Sequence, residues 1–171
     1  MRIDIEPAER TELPRLTDLV NRAYATGEAG LWRDEVARTT PDGMAELAEA
    51  AELLVAHADG APVGLVRVHR LDRQTGELGM LAADPGSRGL GVGRALVAAA
   101  EERCRAVGLP RMGLELLVPR IGEHPAKRAL ADWYTRLGYR VERRVPAEQA
   151  YPRLAPLLAV PCDFLAWRKP L

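Results

Sequence analysis

The stretch Asp84-Pro85-Gly86-Ser87-Arg88-Gly89-Leu90-Gly91-Val92-Gly93-Arg94 constrains this chain more than any other. Before it, Glu77 to Ala83 reads as a strand; after it, an alanine-rich pattern from Val92 to Val107 reads as a helix. A strand, a glycine-rich turn and a helix start together make an anion site. The first amides of a helix lack internal partners, and the helix dipole favours negative charge at that end. Phosphate is the expected guest.

Spacing narrows which phosphate. A Walker A loop needs Gly, four residues and then Gly-Lys-Ser/Thr, and the chain has none. A dinucleotide fingerprint fails as well: counted from Gly89 its third glycine falls on Arg94, and counted from Gly91 it falls on Leu96. Such a turn also belongs after a first strand, whereas this one follows a fourth. The bland alternative is a tight turn without a ligand. Arg88 and Arg94 weigh against it, since amides from Gly89 to Arg94 can surround a pyrophosphate while the arginines pair with its charge.

The rest of the chain reads in order. Arg2 to Glu6 alternates as a short strand that Pro7 stops, and Leu13, Leu16, Leu19, Val20 and Ala23 give one apolar face to a helix from Thr11 to Tyr24, with Thr11 as N-cap. A short helix is expected at Asp34 to Thr39 and another from Gly43 to about Ala51, capped by Asp42. Glu52–His57 and Val63–His69 are strands joined by an Asp59-Gly60 hairpin turn, and Glu77–Ala83 extends the antiparallel meander. A strand from Met112 to Val118 follows the helical crossover and is expected to run parallel to Glu77–Ala83. A helix from Pro125 to Gly138 and strands at Tyr139–Val145 and Asp163–Arg168 close the chain, with a helix-containing excursion from Pro146 to Pro161.

Composition fits a single globular domain over residues 1–171, with 47% apolar and 28% charged residues. The 24 basic and 24 acidic residues cancel and are spread along the chain, so neither nucleic acid nor a membrane is an expected partner. Arg140, Arg143 and Arg144 read as a solvated strand face. No leader-like or membrane-spanning run is visible, and the expected location is cytoplasmic. Cys104, Cys162 and the three scattered histidines match no metal-ligand spacing; the cysteines read as small core hydrophobes, His57 and His69 as packed or surface groups on strands, and no metal is expected.

Arg88-Gly89-Leu90-Gly91-Val92-Gly93 resembles the Arg/Gln-x-x-Gly-x-Gly/Ala signature of the GNAT superfamily of acyl-coenzyme A dependent N-acetyltransferases. Glu77 to Pro85 before it is similar to the family's preceding strand. Trp133-Tyr134-Thr135-Arg136-Leu137-Gly138-Tyr139 looks like its Leu-Tyr-Glu-Lys-x-Gly-Phe ending. The element order is also the family's. The resemblance implies an α/β (α+β) fold: a central, mostly antiparallel mixed sheet of about seven strands, with a splayed parallel pair, flanked by helices. It also implies acetyl-coenzyme A as acyl donor, its pyrophosphate on Arg88, Gly89, Leu90, Gly91, Val92, Gly93 and Arg94. The pantetheine arm would lie along the backbone of Leu81, Ala82 and Ala83, one of whose amides would polarise the thioester carbonyl. Where the family often has an Asn in contact with cofactor or substrate, seven residues before the helix tyrosine, this chain has Lys127; Leu130 replaces the usual alanine.

Acetyl transfer needs a neutral amine. An alkylamine of pKa near 10.4 resists deprotonation at neutral pH by roughly 4 kcal/mol, against about 2 kcal/mol for a thiolate leaving group near 8.5. On the resemblance, Glu77 is the base, directly or through water, and Tyr134 the acid to the departing thiolate. The alternatives stay open: a strand-end glutamate facing solvent, and an aromatic on a helix core face. Acceptor choice is expected in the first-helix loop, with Tyr24, Glu28, Trp32 and Asp34, and in the Pro146–Pro161 excursion. A small-molecule primary amine suits the neutral composition. The competing readings are a catalytically silent acyl-coenzyme A sensor and an acyltransferase acting on a protein or peptide amine. The apolar Leu154–Val160 run and the closing strand offer a homodimer surface.

Overall fold

A computed structural model describes residues 2–171. The chain runs β1 (Ile3–Pro7), α1 (Leu13–Gly27), α2 (Pro41–Glu49), β2 (Leu53–Ala58), β3 (Ala61–Arg70), β4 (Thr75–Ala83), α3 (Val92–Ala106), β5 (Arg111–Pro119), α4 (Pro125–Arg136), β6 (Arg140–Pro146), α5 (Ala147–Ala150) and β7 (Cys162–Pro170). Among the described residues the strands form one seven-stranded sheet in the order β1-β2-β3-β4-β5-β7-β6. It is mixed, with one parallel pair, and helices flank it, as expected. The chain divides into two compact units, one taking residues up to Tyr24, Ala37–Met112 and Leu171, the other Ala25–Val36 and Gly113–Pro170.

In the first unit the helical spacing of α1 gathers Leu13, Leu16, Leu19 and Val20 into one stripe. It is buried with Met44 of α2, Leu53 and Val55 of β2, Leu65 of β3 and Met80 and Ala82 of β4. Truncating a fully buried leucine such as Leu16 to alanine should cost about 2–5 kcal/mol. The hairpin turn falls at Asp59-Gly60, with φ of 51° and 78°, the left-handed pair that a two-residue turn of matching twist requires. α3 sits close to β3 and β4 because glycines open the way. A Cβ on Gly64 would stand 2.8 Å from Val92 Cγ1, and one on Gly76 would collide with Cys104 Sγ.

One feature of β4 carries no turn signal in the sequence. Between the Leu65↔Ala82 and Arg67↔Gly79 pairs, two steps along β3 are matched by three along β4, and Met80 holds φ at 50°. The extra residue is a β-bulge, which bends the strand and re-aims its side chains just before Leu81–Ala83.

Several local expectations are corrected. Residues 34–39 are not helical; Asn21 Oδ1 accepts from the Thr39 amide at 3.0 Å and Asn21 Nδ2 donates to the Thr39 carbonyl at 3.1 Å, a pairing that holds this segment out of a helix. Thr40, not Asp42, caps α2: its hydroxyl accepts from the Gly43 amide at 3.1 Å, while Asp42 sits in the first turn. Thr11 is not an N-cap either. A 3-10 turn over Arg10–Glu12 leads into α1, and Glu9 and Glu12 form a capping box around it. Pro7 ends inside β1, paired with Leu54.

The second unit has its own core of Leu31, Leu117, Ala147, Leu158 and Cys162, with Trp32 and Phe164 against it. β6 and β7 pair antiparallel from Arg140↔Arg168 to Pro146↔Asp163. Asp163 is buried and accepts from Arg120 Nε at 2.8 Å and Arg144 Nε at 2.5 Å. Burial works against its charge, but the Arg144 and Arg120 guanidiniums prevail and hold its carboxyl below the usual range. Both cysteines are buried, and burial pushes both thiols up, which leaves them poor nucleophiles.

Candidate functional site

The glycine-rich turn begins where β4 ends. Asp84 Oδ1 accepts from the Gly86 amide at 2.9 Å, starting a 3-10 turn over Pro85–Ser87 that brings the chain round. Gly89 and Gly91 follow at φ of 84° and 80°, left-handed positions that a side chain would strain, and nothing lies within 4 Å of where their Cβ atoms would stand. Gly91 is the N-cap of α3 and brings no capping side chain, and the first turn of α3 holds no acidic residue. The opening amides of α3 are therefore not capped by a side chain of their own helix start. Arg88 and Arg94 are exposed. Val92 is buried against the sheet and anchors the helix start. The result is an open cradle of backbone donors flanked by two cations.

On β4, Leu81 and Ala83 are half-buried and Ala82 is in the core. Glu77 lies nearer the start of the strand. Its side chain is 16% exposed, so it does not simply face solvent, and its Oε1 is 3.8 Å from His69 Nε2 on β3. Tyr24, near the end of α1, carries the Arg38 guanidinium over its ring at 5.1 Å.

In the second unit, Tyr134 is buried in an aromatic cluster, 5.0 Å from the Trp133 ring, 5.9 Å from Tyr139 and 6.4 Å from Trp167, centroid to centroid. Its surroundings are those of a core aromatic. Lys127, at the start of α4, is likewise buried. Its ammonium donates to Glu28 Oε1 at 2.7 Å, while the Trp32 indole N–H donates to Glu28 Oε2 at 2.7 Å. Two of the expected site residues thus meet on a third, Glu28, and both Glu28 oxygens are in use. Asp34 is exposed.

The same unit ties together the two segments expected to choose the acceptor. Ala159 donates to the Leu31 carbonyl at 2.8 Å, and Arg33 donates through its amide to Leu157 and through Nε to Leu158, both at 2.9 Å. His124 Nε2 meets the Ala29 carbonyl at 2.8 Å on the side of α4. The loop after α1 is therefore strapped to both the Pro146–Pro161 excursion and α4. Neither this joining, nor the Met80 bulge, nor the pairing of His69 with Glu77 is signalled by local spacing in the sequence. The strand alternation of Val63–His69 and Glu77–Ala83 held the one usable signal, since it allows the last pair to be aligned.

Among the described residues no group of three or more His, Cys, Asp or Glu is placed to hold a metal, and no helix is long and apolar enough to cross a membrane. The Acetyltransferase (GNAT) family model matches residues 13–139. No curated protein matches the sequence. Solved structures share the fold at low identity. PaiA N-acetyltransferase from Thermoplasma acidophilum, in complex with coenzyme A, superposes with a TM-score of 0.74 at 16% identity, covering 100% of both chains. A ribosomal-protein-alanine N-acetyltransferase from Brucella melitensis gives 0.70 at 21% identity over 98% of this chain and 99% of that one. A Salmonella typhimurium protein solved with its cofactor acetyl-CoA gives 0.70 at 18% identity, covering 100% and 95%.

Proposed function

Since this chain belongs to the GNAT acetyltransferase family, we propose that it transfers an acetyl group from acetyl-coenzyme A to a primary amine of a small molecule. The two compact units act as parts of one catalytic domain in this reading, because residues 13–139 of the family match run through both. The observation that carries the proposal is the cradle at Arg88–Arg94. Its left-handed glycines, the α3 amides without a capping side chain and the exposed arginines fit a pyrophosphate in shape and charge. Relatives of the same fold hold coenzyme A and acetyl-CoA.

Bound acetyl-coenzyme A supplies an activated acyl group whose thioester carbon accepts the amine. The residues of the chain supply the proton handling. Glu77 takes the proton that an ammonium must lose, the larger of the two energetic demands. Tyr134 gives its proton to the departing sulfur, a role supported by the match of its helix to the family's motif. An amide of Leu81–Ala83, following the bulge at Met80, polarises the thioester carbonyl.

On the acceptor side, Glu28 is committed to Lys127 and Trp32. It shapes the wall instead of meeting the substrate charge, and Lys127 acts through that wall and not as a direct cofactor ligand. Tyr24, Trp32 and the exposed Asp34 remain for recognition, Asp34 being the carboxylate open to a cationic amine. Zero net charge favours a small amine over a basic protein tail.

A panel of small amines and peptide N-termini, assayed for thiol release from acetyl-coenzyme A with mass spectrometry of the products, tests the proposal. Turnover with a small amine is expected. Turnover only with peptides would move the acceptor class. Tight acetyl-coenzyme A binding without turnover across the panel would make the protein a silent acyl-coenzyme A binder.

A further inference from the structure

His69 and Glu77 are register partners across the antiparallel β3–β4 pair. Their side chains meet on one face, Nε2 to Oε1 at 3.8 Å, and are 21% and 16% exposed. The other ring nitrogen, Nδ1, is buried without a hydrogen-bond partner. This asymmetry selects the tautomer. A proton on Nδ1 would bury a donor with no acceptor, whereas a proton on Nε2 faces a carboxylate.

A second proton on the ring is also disfavoured. Burial first, and then the Arg67 guanidinium, hold the His69 pKa below its ordinary value, with Glu52 acting the other way. Arg67 Nε donates to Glu52 at 2.7 Å, so the two opposing charges are paired with each other. Arg70, Arg103 and Glu52 line an open cavity of about 400 Å³ together with His69. His69 is thus a neutral donor at neutral pH, its N–H toward Glu77.

We propose that His69 is a positioning residue for Glu77, holding its carboxylate ionised and turned to receive the proton of the incoming ammonium. This rests on the reading of Glu77 as the base. At 3.8 Å the contact is longer than a direct hydrogen bond and acts through the charge of the carboxylate on the facing ring N–H. In the step itself one N–H bond of the ammonium breaks, an O–H bond forms on Glu77, and His69 keeps its own proton throughout.

Carboxyl-carbon NMR titration of Glu77 in the full chain tests this, with His69→Leu removing the donor and His69→Gln retaining an N–H at its tip. The Glu77 pKa should rise by about one unit in His69→Leu and stay near the wild-type value in His69→Gln. The acid limb of kcat/KM should move with it in His69→Leu and stay in place in His69→Gln. An unchanged Glu77 titration in His69→Leu would overturn the proposal. Should that variant not fold, imidazole nitrogen NMR of the wild-type protein decides: an Nε2–H tautomer supports the assignment, and an Nδ1–H tautomer or a charged ring at neutral pH overturns it. Full turnover in Glu77→Gln would instead remove the base role itself, a result distinct from impaired Glu77→Gln with an unmoved titration.

Discussion

Lys127 Nζ donates to Glu28 Oε1 at 2.7 Å across 99 residues of sequence, with both side chains nearly closed off from solvent. A buried pair of this kind adds little compared with apolar packing of the same volume, but losing one partner leaves an uncompensated charge. It therefore acts as a latch on the loop after α1: that loop can leave α4 only by exposing both charges at once.

Lys127→Met should accordingly destabilise the protein by about 3–5 kcal/mol. In a chain of this size that corresponds to a fall of about 6–20 °C in melting temperature. Adding Glu28→Gln should recover most of the loss, because the stranded carboxylate is gone. Thermal and urea unfolding of the two single variants and the double variant give the coupling; additive losses would show that the pair does not act as a unit.

The left-handed backbone at Gly91 makes it sensitive to any side chain. Gly91→Ala should cost about 1–2 kcal/mol of local strain. Gly91→Glu should also reduce acetyl-coenzyme A affinity more than tenfold by placing a carboxylate among the anion donors, an effect read by calorimetry. Unchanged affinity in Gly91→Glu would contradict the pyrophosphate assignment.

Tyr134→Phe removes one hydroxyl and keeps the ring that packs against Trp133, Tyr139 and Trp167. Turnover should drop about tenfold to a thousandfold, with the KM for the amine little changed. If Tyr134 serves only in the aromatic core, turnover of the folded variant will match wild type.

Asp163 links the fold to pH. Its folded pKa lies below the unfolded value of about 3.9, so its contribution is fully present above about pH 4 and is lost as pH falls through the lowered folded value. Asp163→Asn should lower stability at neutral pH and flatten the decline below about pH 4. Urea midpoints across that range measure it; an acid decline as steep as wild type would assign the loss to other carboxylates.

What could be read from residues alone was local in origin. Periodicity located most helices and strands, Asp59-Gly60 located the hairpin, and Gly89 and Gly91 marked the left-handed turn into α3, because each depends on neighbours within a few residues. The errors at Thr11, Asp42 and residues 34–39 arose where two nearby polar residues competed for the same backbone donors, and where Asn21, distant in sequence, decided the outcome. The bulge at Met80 left no glycine or proline at its own position, since it is set by how β4 registers against β3.

The sequence by itself therefore determined the class of fold, through short-range periodicity, and the family, through the resemblance of its motifs. Tertiary structure decided what each charged group is for. Glu28 could have met a cationic substrate and Lys127 could have met the donor or solvent, but burial leaves a charge only the partners within reach, and folding brought these two together. The same holds for His69, whose role depends on which ring nitrogen the sheet covers and which it turns toward Glu77.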